Sequence, residues 1–227
     1  MKNLTTQMIY RIILCCVSAL GVLLTFNIFY VGEGPNTLTW EFLKFYTNIS
    51  NYFVFAVSVI VLADNVKRVY KGEKEGYNKK IHNFKFITTV MILVTFLVYC
   101  ILLGNPFSAE FWRNLGNLSY HVIAPVLFIL DYILFEKKKT VSVFAPLLSV
   151  IIPLIYVVYV MILGVAIPDF EYPYFFLNVN KLGYGGVAVW VVILVVIFIA
   201  IGYILWFYNR LVKEEGKWKF DLKNILW

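Results

Sequence analysis

The sequence predicts an all-α polytopic membrane protein: one domain over 1–227, a bundle of six transmembrane helices with both termini cytoplasmic. Three observations predict it. Hydrophobic residues make up 61% of the 227 and charged ones 15%, with a mean hydropathy of +0.79; soluble domains run about 25% charged. Six apolar stretches, roughly 9–31, 43–64, 84–104, 117–135, 142–164 and 186–208, reach the length of about 20 residues that a span needs. The basic residues also alternate in density between successive connections. With the N-terminus inside, 17 Lys and Arg fall in inside segments, and only Lys44, Arg113 and Lys181 fall outside. That bias is the positive-inside signal. It accounts for the net charge of +7 without nucleic acid. Lys137–Lys139 and the basic tail read as stop signals and lipid-headgroup contacts.

The first span is apolar, and its Ser18-Ala19-Leu20-Gly21 patch offers small residues for close helix packing. It is too long for the apolar core of a signal peptide and more spans follow it, so it reads as a retained helix. Gly32–Asn36 read as a turn, and Trp40 and Tyr46 suit an aromatic belt at the outer surface. The second span opens with Thr47, Asn48, Ser50 and Asn51, of which Thr47, Ser50 and Asn51 share one helical face. It ends at Asp64, expected to pair with a neighbouring Lys or Arg. The loop 65–83 is basic, and His82 within it reads as an ordinary surface residue.

Beyond Lys85 at its inner end, the third span carries only Thr88, Thr89, Thr95 and Tyr99 as polar groups. The fourth combines Asn117, Ser119, Tyr120, His121 and Asp131 with Pro125, which denies the His121 carbonyl its helical partner and is expected to kink the helix. His121 is the one histidine in an apolar stretch. Polar groups in a bilayer are costly unless paired or wetted, which makes this span the first place to look for function. Asp131 lies ten residues beyond His121, about 15 Å along the helix axis. That is too far to orient the imidazole, so Asp131 is expected to pair with Arg11 or Lys85. The fifth span contains Pro146 and Pro153, and the sixth is uniformly apolar. Between them the connection 165–185 holds Phe170, Tyr172, Tyr174, Phe175, Phe176 and Tyr184. It is too aromatic for a free linker and is expected to lie over the outer mouth of the bundle as a lid or interfacial segment. The tail from Asn209 mixes Trp218, Phe220, Leu222, Ile225 and Leu226 with lysines, as an interfacial segment does.

Cys15, Cys16 and Cys100 lie in apolar stretches without metal-ligand spacing and read as small hydrophobic core residues. A single intramembrane histidine excludes bis-histidine haem ligation. No phosphate loop or zinc signature is present, so neither a metal nor a cofactor is expected.

The second and fourth spans both enter from outside. Thr47 and His121 each lie about four residues into their helices, about 6–8 Å below the helix starts, and so at matched depth. A hydroxyl and an imidazole so placed have the makings of a nucleophile and its base. The two helix N-termini favour developing negative charge, and Asn48, Ser50, Asn51, Asn117 and Tyr120 are candidate substrate or oxyanion donors. The residues alone leave structural hydrogen bonding open as the other account.

The pattern Thr47-x-x-Ser50-Asn51 in the second span, with His121, Pro125 and Asp131 in the fourth, resembles the androgen-induced-gene-one-like family. The outer connection Tyr172-Pro173-x-x-Phe176-Leu177 to Leu182-Gly183-Tyr184-Gly185 is similar to the bacterial six-helix membrane proteins grouped with it. The resemblance spans the second to the sixth helix. It implies an intramembrane threonine hydrolase in which Thr47 is the nucleophile and His121 the general base. Animal members cleave fatty acid esters of hydroxy fatty acids, so the implied substrate is a lipid ester and the implied partners are membrane lipids. Two other classes stay open: a non-catalytic accessory membrane protein and a small-molecule transporter. Lysine outnumbers arginine 16 to 4; with the loop resemblance, this points to a bacterial cytoplasmic membrane.

Overall fold

The structure is a computed structural model, and it describes residues 4–25, 43–73, 78–104, 118–136 and 140–211. All regular structure among them is helical. Helix α1 is Leu4–Thr25, α2 Tyr46–Tyr70, and α3 Lys79–Leu103. Helix α4 is Ser119–Phe135, α5 Ala145–Ala166 and α6 Val179–Leu211. All but α4 are long and apolar enough to cross a membrane; α4 is apolar but shorter.

Helices α1 to α4 pack against one another, and α3 also carries α6 and the first turn of α5. One core unites α1, α2, α3 and α4 through Leu14, Val54, Val57, Ile92 and Phe128, each fully buried. A second joins α3, α4, α5 and α6 through Phe86, Tyr132, Ala145, Phe198 and Trp206. A third sets the aromatic connection against α5 and α6 through Tyr156, Tyr174, Phe176, Leu177 and Val187. Ile9, Ile12 and Ile13 of α1 are exposed, as are Val189, Val192, Val196 and Ile204 of α6. Large aliphatic side chains left outside in such number suit a lipid surround.

Several helix limits differ from the sequence reading. Helix α1 starts at Leu4, earlier than expected; the expected end of the first span, near 31, lies outside the described residues. Helix α2 runs six residues past the expected end at 64, with Arg68 paired to Asp64 at 2.6 Å one turn away. Helix α3 begins at Lys79 because the Asn78 side chain accepts the Lys80 N–H at 3.0 Å. That extra turn brings His82 onto the inward face, three residues from Lys85. His82 is therefore buried, not the surface residue expected. Helix α5 is broken at 149–150, between Ala145–Leu148 and Ile151–Ala166; Pro153 cannot donate to the ladder there. Helix α6 begins at Val179, seven residues before the expected 186, and bends at Gly183, whose φ of 64° suits a residue without Cβ.

Two wide π turns interrupt α3 and α4, at Tyr99–Leu103 and Ser119–Ile123. The second precedes Pro125 by two residues. With no proline N–H for the His121 carbonyl, the chain widens there, and the Ala124 N–H bonds to Ser119 instead. The cysteines are not core residues: Cys16 is exposed, and Cys15 and Cys100 are half-buried.

Candidate functional site

The first turn of α2 has orphan N–H groups and no help from its own N-cap, because Phe45 has no side-chain acceptor. The acceptor comes from elsewhere in the chain. The Thr47 N–H donates to Tyr174 Oη at 3.3 Å, and Thr47 Oγ1 stands 3.4 Å from the same oxygen. The Tyr156 hydroxyl donates to the Lys44 carbonyl at 2.8 Å and fixes the backbone that leads into the helix. Burial pushes the Tyr174 phenol above its ordinary pKa, against the lowering effect of its bonds to Thr47, so it stays protonated.

Thr47, Ser50 and Asn51 are all buried on one face, as their spacing required. Ser50 Oγ and Asn51 Nδ2 both donate to the Thr47 carbonyl, each at 2.9 Å. Thr95 of α3 reaches Ser50 Oγ at 3.2 Å. Ser50 and Asn51 thus tie down the first turn, the Ser50 hydroxyl hydrogen and one Asn51 amide hydrogen being directed at the helix itself. The Tyr120 hydroxyl donates to the Asn48 carbonyl at 3.3 Å, so the starts of α2 and α4 meet at one end of the bundle. Tyr120 also fills the space beside Gly21, where a Cβ would lie 3.1 Å from its ring. Asn117 lies outside the described residues.

Thr47 lines a cavity of about 70 Å³ between α2, α3, α5, α6 and the aromatic connection. Its walls are Val94, Val98, Leu103, Leu154, Val157, Val191, Leu194 and Phe198, with Phe176 and Leu177 from the connection. The hydroxyls of Thr47, Thr95, Tyr46, Tyr156 and Tyr174 belong to residues on the same wall. Among the described residues the Tyr46 hydroxyl has no hydrogen-bond partner. A slot of this size suits the end of an alkyl chain beside a polar group.

His121 is not on that wall. Its ring stacks on Tyr99, with centroids 3.6 Å apart and planes 10° from parallel, so the two π turns face each other through this pair. Its Nδ1 has no hydrogen-bond partner among the described residues. Thr47 and His121 share one end of the bundle, but no hydrogen bond joins them. The hydroxyl that meets Thr47 is that of Tyr174, a residue not singled out from the sequence.

The opposite end holds Asp131. It accepts from Arg11 Nε at 3.0 Å and from Lys85 Nζ, so both expected partners are present together. Arg11 also reaches Glu136 at 2.9 Å and Asn65 Oδ1 at 2.8 Å, and Lys85 reaches Glu136 as well. His82 Nδ1 stands 2.8 Å from Glu136. Arg11, Lys85, Asp131 and Glu136 are each less than a tenth exposed. Two cations and two carboxylates from α1, α3 and α4 therefore neutralise one another out of water. Removing one member of such a set typically costs about 3–5 kcal/mol, because a charge is left buried and unpaired.

Among the described residues no group of three or more His, Cys, Asp or Glu side chains is arranged to hold a metal ion. No protein-family model, curated protein or solved structure matches the chain.

Proposed function

We propose that the chain is a six-span protein of a bacterial cytoplasmic membrane, with both termini inside, and that it hydrolyses a lipid ester at Thr47. The basic-residue bias supports this orientation, and α4 would be the sixth span. The motif around Thr47, His121 and the outer connection supports membership in the androgen-induced-gene-one-like family. One observation carries the chemical reading: Thr47, in the first turn of α2, is one of the residues that line an apolar slot. An acyl chain fills the slot, and its ester carbonyl lies by the helix N-terminus, where negative charge is favoured.

In this reading His121 leaves its stack on Tyr99 when the ester binds and takes the Thr47 proton as Oγ1 attacks the carbonyl carbon. The alcohol leaves with that proton, and an acyl-threonine remains. Water then attacks the acyl carbon, His121 takes the water's proton, and the fatty acid departs as Thr47 Oγ1 is reprotonated. Catalytic hydrogen bonds are often long or absent before substrate arrives, and here the ester is what brings the pair together.

The test is covalent labelling of the detergent-solubilised protein with an alkyl fluorophosphonate. Wild type is expected to be labelled at Thr47, Thr47→Ala not at all, and His121→Ala about 100-fold more slowly or worse. A folded wild type that takes no label and turns over no lipid ester would sink the hydrolase. The bond from Thr47 to Tyr174 favours a second reading, a non-catalytic lipid-binding accessory protein. In that case Thr47→Ala would lower thermal stability and change no turnover.

A further inference from the structure

The aromatic connection does more than cover the bundle, because it carries one polar group to the Thr47 hydroxyl. Phe170, Tyr174, Phe176 and Leu177 are all buried, and the Tyr174 ring stacks on Phe176 with centroids 5.0 Å apart and planes 7° from parallel. Tyr156 meets Tyr174 edge-on at 6.4 Å. These contacts fix the ring while its oxygen points at the first turn of α2. That oxygen already accepts the Thr47 N–H. Its own proton needs an acceptor inside an apolar slot, and Thr47 Oγ1 at 3.4 Å is the acceptor at hand. Either oxygen can be the donor at that distance; with the phenol donating, Thr47 Oγ1 accepts and the threonine's own proton is turned away from the phenol.

We infer that Tyr174 is a positioning residue for Thr47: it fixes the rotamer of the hydroxyl and leaves the threonine proton free for the base. The inference rests on the hydrolase reading and adds the aromatic connection to its site. During attack the proton on Thr47 goes to His121 and the bond to Tyr174 is kept. During deacylation the same phenol proton faces the departing threonine oxygen. Tyr174 is neither consumed nor acylated.

The experiment compares Tyr174→Phe with wild type and Thr47→Ala in the fluorophosphonate reaction, with the maximal inactivation rate and the probe's apparent affinity measured separately. Phenylalanine keeps the ring stack and deletes only the hydroxyl. The expected result is a maximal rate about 10- to 100-fold lower with affinity within about twofold, as for a misoriented nucleophile. Tyr174→His, which restores a ring donor, is expected to recover part of the rate. Wild-type labelling lost in Thr47→Ala but unchanged in Tyr174→Phe would overturn the inference and leave the hydrolase standing. A Tyr174→Phe protein that no longer folds would also overturn it, by assigning the hydroxyl to the fold. A folded wild type that takes no label and turns over no lipid ester would remove both.

Discussion

Glu136 ends α4 with its carboxylate against Lys85, Arg11 and His82. Burial works to raise its pKa, yet the Lys85 ammonium, with His82 and Arg11, holds the carboxyl well below the usual range. The unfolded glutamate titrates at about 4.3. Its contribution to stability is therefore full above that pH and is lost as pH falls from there toward the depressed folded value. The melting temperature in detergent is expected to drop on going from pH 6 to pH 4, and to drop less in Glu136→Gln; parallel pH profiles for the two proteins would refute this. Asp131 was legible as a structural acid because it stands alone in an apolar run. Glu136 was not: in sequence it adjoins Lys137–Lys139 and looks like part of a solvated charge run. His82 was hidden for the same reason, since its burial depends on Asn78 starting α3 one turn early. Tyr174 was one tyrosine among many aromatic residues in its loop, and nothing local says which of them turns inward.

Among the helices, type and rough position followed from apolar length, because a span has few other ways to satisfy its backbone. The limits did not, because they depend on single residues. Gly183, Gly185 and Gly186 look like loop residues, yet α6 runs through them with one bend. Pro125 and the π turn it forces were readable as a distortion, and the partner across the turn, Tyr99, was not. The contact between α5 and α6 is a case where one atom decides. A Cβ on Gly202 would lie 3.0 Å from the Pro146 Cβ and 3.1 Å from its Cα, with no flexible side chain to yield. Gly202→Val is expected to cost about 1–3 kcal/mol by overpacking, read as a lower melting temperature. A variant as stable as wild type would mean that α5 moves aside freely.

For the whole molecule, topology led to the expectation that Thr47 and His121 lie at matched depth, and the structure brings the starts of α2 and α4 together at one end of the bundle. Sideways placement was not legible, because depth along a helix says nothing about which neighbour a side chain faces. The orientation proposed for the bundle is testable with single cysteines in a protein whose three native ones are replaced by alanine. In intact cells Glu171→Cys is expected to react with a membrane-impermeant maleimide, whereas Glu73→Cys is expected to react only after the membrane is opened. The reverse pattern would invert the topology.

The ion cluster also has a consequence for how the chain is made. Its cations come first in the sequence, Arg11 on α1 and Lys85 on α3, and its carboxylates, Asp131 and Glu136, come last, at the far end of α4. A nascent chain holding only α1 to α3 carries two positive charges without the two carboxylates that pair with them in the finished fold. Those two cations have to stay wetted or find other partners until α4 has been synthesised. The cluster is thus completed only by its fourth helix, and a chain that stops short of Glu136 is left with charge that the finished fold would pair.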